Sequence, residues 1–124
     1  MLDVRTMSKS FGGLKAVSEA SLTVSEGSIV SLIGPNGAGK TTLFALISGF
    51  LKPDSGAITF NSAGITGQRP HRICHKGLVR TFQVVQPFAG LTVRENIAVG
   101  AHTRVAGRAA ALAAAGEIAQ LVGM

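Results

Sequence analysis

The chain has 124 residues, 46% of them hydrophobic and 15% charged, and a formal net charge of +6. That size and composition fit one modest domain able to bury a core, so a disordered chain is not the expectation. Sixteen glycines without a period exclude a fibrous repeat, and a single cysteine, Cys74, excludes a disulfide-stapled mini-domain.

Met1 to Arg5 shows no basic region followed by an apolar run, so no secretory leader is expected. Leu2 to Ser8 alternates apolar and polar residues as a half-buried strand does. Ser10 to Gly13 reads as a turn, and Ala20 to Val24 as a second alternating strand. Ser28 to Ile33 is short, β-branched and mostly apolar, which predicts a buried central strand. A glycine-rich loop follows at Gly34 to Gly39. Lys40 to Ser48 then predicts a helix, with Leu43, Leu46 and Ile47 on one face and Gly49 at its end.

Lys52 to Gly56 has the chemistry of a turn and Ala57 to Asn61 the pattern of a strand. Pro70 to His75 predicts a short helix with proline in its first turn, and Leu78 to Phe82 another short strand. Thr92 with Glu95 three residues on is a capping box opening a helix to about Val99. The alanine-rich run Arg104 to Val122 predicts a last helix, weakened by Gly107 and Gly116. No stretch reaches the roughly 20 apolar residues of a membrane span, and a soluble chain is expected.

The strongest chemical signal is Gly34-Pro35-Asn36-Gly37-Ala38-Gly39-Lys40-Thr41, which satisfies G-x-x-x-x-G-K-[ST] between a predicted strand and a predicted helix. Polyphosphate is too large and too charged for one side chain. Successive backbone N–H groups wrap it, and glycines let the backbone come close. The helix that follows points the positive end of its dipole at the phosphates. Lys40 is expected to reach the β- and γ-phosphates and the Thr41 hydroxyl to hold Mg²⁺, with Thr42 assisting. Nucleoside triphosphate binding follows from this pattern.

The positive charge suggests nucleic acid, but the twelve Lys and Arg are scattered, Tyr and Trp are absent, and the six Phe form no stacking ladder. The imbalance comes from having only six acids. His71, Cys74 and His75 suggest a metal, yet no nearby carboxylate or second cysteine completes a ligand set, and a solvated helical face accounts for them better.

Beyond the phosphate loop, the runs Phe11 to Val17, Ile47 to Phe50, Lys52 to Gly56, Gly77 to Gln83 and Leu91 to Ile97 resemble an ABC transporter nucleotide-binding domain. Arg80-Thr81-Phe82-Gln83 is most similar to the ATP-binding subunit of branched-chain amino acid uptake systems of the LivG type. The resemblance implies an α/β fold with a P-loop core and an antiparallel β edge, broken off in the helical subdomain. Residues about 1–90 would form the ATP-binding core and about 91–124 the start of that subdomain.

It also implies roles. Phe11 falls at the aromatic that stacks on adenine, where an ordinary turn phenylalanine is the alternative. Val17 lines ribose or base, or is core. Gln83 falls at the glutamine that senses Mg²⁺ and the attacking water, or is a surface amide. The loop residues Asn36, Gly37, Ala38 and Gly39, with Lys40, Thr41 and Thr42, contact phosphate. Lys40 and Gln83 are the residues expected to take part in catalysis, and Thr41 and Gln83 those expected at the metal. ATP and Mg²⁺ are the implied cofactors.

Transmembrane permease subunits and a second ATP-binding subunit, packed head to tail, are the implied partners, with no nucleic acid and no direct contact with the solute. The implied location is cytoplasmic, peripheral on the inner face of the cell membrane. The family's glycine-rich signature, its Asp-Glu pair and its switch histidine have no counterpart among these residues. Three readings follow: the front part of a transport ATPase, a non-catalytic nucleotide-binding fragment, and a soluble ABC protein acting on nucleic acid. The first accounts for every motif, and on it the chain alone is expected to hydrolyse little.

Overall fold

The computed structural model describes residues 1–124, which form two compact units, Met1–Arg80 and Thr81–Met124. In the first, β1 (Leu2–Phe11) and β2 (Leu14–Val24) form a hairpin, and β3 (Ser55–Phe60) and β4 (Ala63–Gly64) extend it into a sheet of order β2-β1-β3-β4. Every pairing is antiparallel. Helices α1 (Lys40–Ile47) and α2 (Pro70–His75) complete the unit.

Val4 and Met7 both face the core although they are three positions apart, an odd spacing for a strand of period two. A bulge explains it. The register slips between Val4 and Met7, and Thr6 on β1 and Glu19 on β2 take positive φ. The displaced N–H groups keep partners: that of Thr6 donates to Ser21 Oγ at 2.9 Å and that of Glu19 to Ser8 Oγ at 2.9 Å. The core gathers Val4, Met7 and Ile58 from the strands, Leu43 and Leu46 from α1, and Ile73 from α2.

Strand β4 has two residues, too few to leave a pattern in the sequence. Asn61 and Ser62, both at positive φ, make the two-residue turn that sets Phe60 opposite Ala63. The strand expected at 57–61 starts earlier, at Ser55, and ends before that turn.

Two expected strands do not form. Ser28–Ile33 is irregular, with Ile29 and Ile33 exposed at 96% and 91%, and Leu78–Phe82 is irregular too. A β-branched run supplies strand propensity, but a strand exists only where its N–H and C=O groups meet a neighbour's. The sheet places β2 and β4 at its edges and neither run on them.

The second unit packs α3 (Val93–Ala101) against α4 (Arg108–Leu121) through Ala98, Ala111 and Ala115, whose small side chains let the helices approach closely. The capping box forms as expected: the Glu95 N–H donates to Thr92 Oγ1 and the Thr92 N–H to the Glu95 carboxylate. Helix α4 starts four residues later than expected because Gly107, at φ 87°, is its N-cap and not a helical residue. Its Gly116 faces the Arg94 guanidinium, which also donates to the Leu112 carbonyl at 2.9 Å.

Candidate functional site

The segment Gly34–Thr42 builds the site in the first unit. The Ala38 N–H closes a turn on the Pro35 carbonyl at 3.3 Å, and Gly37 and Gly39 take φ of 85° and 86°. Gly39 is required twice over: its left-handed backbone disfavours a side chain, and a Cβ there would overlap the Ala16 carbonyl of β2. The loop therefore rests on the hairpin strand.

Helix α1 begins at Lys40 with Gly39 as N-cap, no side-chain cap and no acid in its first turn. No side chain caps its leading N–H groups, and the positive end of the helix dipole is left for an external acceptor. The Lys40 ammonium lies over the loop, donating to the carbonyls of Gly34 at 2.5 Å and Pro35 at 2.6 Å. These bonds use two of the ammonium's three donors and hold its charge at the mouth of the loop.

Beside the loop lies a cavity of about 350 Å³, lined by Lys15, Val17, Ser18, Ala38, Gly39 and Lys40 among others. Val17 is both core and lining. Asn36 is exposed on the loop, and Thr41 and Thr42 stand on the first turn of α1. Phe11 is at the far end of the β1–β2 hairpin, paired with Leu14, half exposed and outside the cavity lining. Gln83 lies in the irregular start of the second unit, exposed. Lys15 and Ser18, to which the sequence reading assigns no role, are brought to the cavity by the hairpin.

Three acids are engaged away from the loop. Asp3 meets Arg5 at 2.6 Å, Asp54 meets Lys9 at 2.6 Å, and Glu95 meets Arg108 at 2.9 Å. The Lys9 ammonium, with the Ser10 N–H, holds the Asp54 carboxyl below the ordinary carboxylate range. The bonds from Thr92, backbone first, do the same for Glu95.

A cradle of glycine backbone, an uncapped helix N-terminus, a lysine over the loop and no competing carboxylate is chemistry suited to a polyanion. The fold and this loop define a phosphate-loop α/β protein. A family model described as ABC transporter matches residues 17–124, so the chain belongs to the ABC transporter family.

The high-affinity branched-chain amino acid transport ATP-binding protein LivG of Salmonella typhimurium is 47% identical over 105 residues, covering 85% of this chain and 41% of that protein. BraF of Pseudomonas aeruginosa, with the same description, is 46% identical over 102 residues, covering 82% and 40%. Among solved structures, the ADP conformation of an ATP-binding cassette of an ABC transporter superposes with a TM-score of 0.75 at 39% identity, covering 90% of this chain and 44% of that one. The chain thus spans about two fifths of the length of the curated relatives it matches.

Proposed function

We infer that this chain binds ATP with Mg²⁺ on the Gly34–Thr42 element and is the nucleotide-binding part of an ABC importer ATPase for branched-chain amino acids. The observation that carries the reading is the Lys40 ammonium held over the loop at the uncapped start of α1. The relatives named for branched-chain amino acid transport support the substrate class, and the related cassette in its ADP conformation supports an adenine nucleotide.

In this reading the amides of Gly37 to Thr42 and the Lys40 ammonium take the phosphate charge, Lys40 exchanging loop carbonyls for β- and γ-phosphate oxygens. Thr41 and Gln83 hold the metal, Thr42 adds a further phosphate contact, Val17 borders the ribose, and Phe11 stacks on adenine. Mg²⁺, when bound, supplies charge neutralisation at the phosphates. Residues about 1–90 act as the ATP-binding core and about 91–124 as the start of a helical subdomain. The partners are transmembrane permease subunits and a second ATP-binding subunit, on the inner face of the membrane. No residue contacts the solute. No helix is long and apolar enough to cross a membrane.

The chain alone is a binder more than a catalyst in this account, because none of its six acids ends an apolar strand run as the family's Asp-Glu pair does. Calorimetric titration with Mg-ATP tests the reading. Wild type should bind, and Lys40→Ala should weaken binding roughly tenfold to a hundredfold, as loss of a charge-assisted bond does. Equal affinity of the two proteins would remove the assignment.

A further inference from the structure

Asp54 lies in the turn before β3, 43 residues beyond Phe11 in the chain, yet it is bonded to the three residues that precede Phe11. Its N–H donates to the Ser8 carbonyl at 3.0 Å. Its carboxylate accepts from Lys9 Nζ at 2.6 Å and from the Ser10 N–H at 2.7 Å. Lys9 is no loose surface cation: only 18% of its side chain is exposed, and its ammonium lies 5.7 Å from the centroid of the Phe11 ring. That distance is within the range of a cation–π contact. One carboxylate therefore fixes the backbone just before Phe11 and, through Lys9, one face of its ring. Phe11 is itself 47% exposed, which leaves ring area for a planar partner.

We propose that Asp54 and Lys9 form a positioning clamp that orients the Phe11 ring for stacking on adenine, an inference that rests on the nucleotide reading above. Neither residue touches the nucleotide. Both act through the ring and the hairpin end that carries it. Without the clamp, the end of β1 beside Gly12 and Gly13 is held by the hairpin pairing alone, and the ring samples several rotamers before it can stack.

The test titrates two ligands, Mg-ATP and Mg-tripolyphosphate, into the full chain. Tripolyphosphate carries the phosphates without the base, so it reads the loop and the fold but not the ring. Asp54→Asn and Lys9→Met should each weaken ATP about threefold to tenfold, the scale of one aromatic contact, and leave tripolyphosphate unchanged. Lys9→Arg should keep wild-type affinity, since it retains the cation and the bridge. In a Phe11→Ala background, Asp54→Asn should have no further effect on ATP.

If Asp54→Asn weakens both ligands alike, its role is merely structural and the clamp is overturned. If Phe11→Ala weakens ATP and Asp54→Asn does not, the clamp falls and the stacking role of Phe11 stands. If Phe11→Ala leaves ATP untouched, stacking fails and the clamp fails with it. If wild type takes neither ligand, the phosphate reading itself is wrong, and the clamp with it.

Discussion

Lys40 donates to the carbonyls of Gly34 and Pro35, and the loop that it spans is bent by Gly37 and Gly39 at positive φ. The lysine thus helps hold the shape of the loop it serves, so removing it should loosen the loop as well as delete a charge. Gly39 is the less forgiving position. Gly39→Ala adds a methyl that meets the Ala16 carbonyl on a backbone already left-handed. We expect it to destabilise the first unit by about 1–3 kcal/mol, read as a lower thermal midpoint, and to weaken Mg-ATP together with Mg-tripolyphosphate. Gly37→Ala, which meets no atom within 4 Å, should cost less than Gly39→Ala in both measurements. At this scale the sequence is a good guide where the partners are consecutive. Loop and helix are one run, Gly34 to Thr42, so their arrangement is legible in the spacing of consecutive residues. Asp54 with Lys9 is not such a run, and only the pairing of β1 with β3 brings the two together.

Among the elements, local signals settled the helices and non-local pairing settled the strands. Pro70–His75 forms as read, and the Thr92–Glu95 box opens α3. Strand alternation located the start of β1, at 2–8, and the end of β2, at 20–24, but not their extension to Phe11 and back to Leu14, nor the bulge, because these need a second strand to pair or slip against. The runs 28–33 and 78–82 carry the composition of strands and lack a ladder, since propensity is local and pairing is not. The capping box gives a prediction of its own. Thr92→Ala should cost the second unit about 1 kcal/mol, visible as lost helicity in circular dichroism.

Acid should act in the same direction. The pKa of Glu95 is lowered in the folded chain, chiefly by the bonds from Thr92. Its stabilising effect is present above the ordinary glutamate value and is lost as pH falls through the lowered one. Helicity should therefore drop in acid, and Glu95→Gln should blunt that drop.

The whole molecule carries an unusual exterior. Ile29, Ile33, Val79, Val84 and Val85 are among its most exposed large side chains, although their sequence reads as strand interior or as apolar loop. Exposed β-branched runs with unpaired backbone are prone to associate. The chain should enhance the fluorescence of an apolar dye and sediment increasingly as oligomers above micromolar concentration. Ile29→Lys with Ile33→Lys should reduce both effects, and unchanged behaviour would show that these runs are not the sticky surface. The 46% hydrophobic content that indicates a core is thus divided between a real core, around Met7, Leu46, Ile58 and Ile73, and this exterior.

The central claim is that the loop and the first turn of α1 bind nucleotide phosphate. Amide nitrogen–proton correlation spectra of the ¹⁵N-labelled chain, titrated with Mg-ATP, test it most directly, because they report each backbone N–H in turn. The account expects the largest shifts at Gly37, Gly39, Lys40, Thr41 and Thr42, with Lys40→Ala reducing them at the same subsaturating ligand concentration. Shifts that leave these amides untouched, or that persist undiminished in Lys40→Ala, would contradict it.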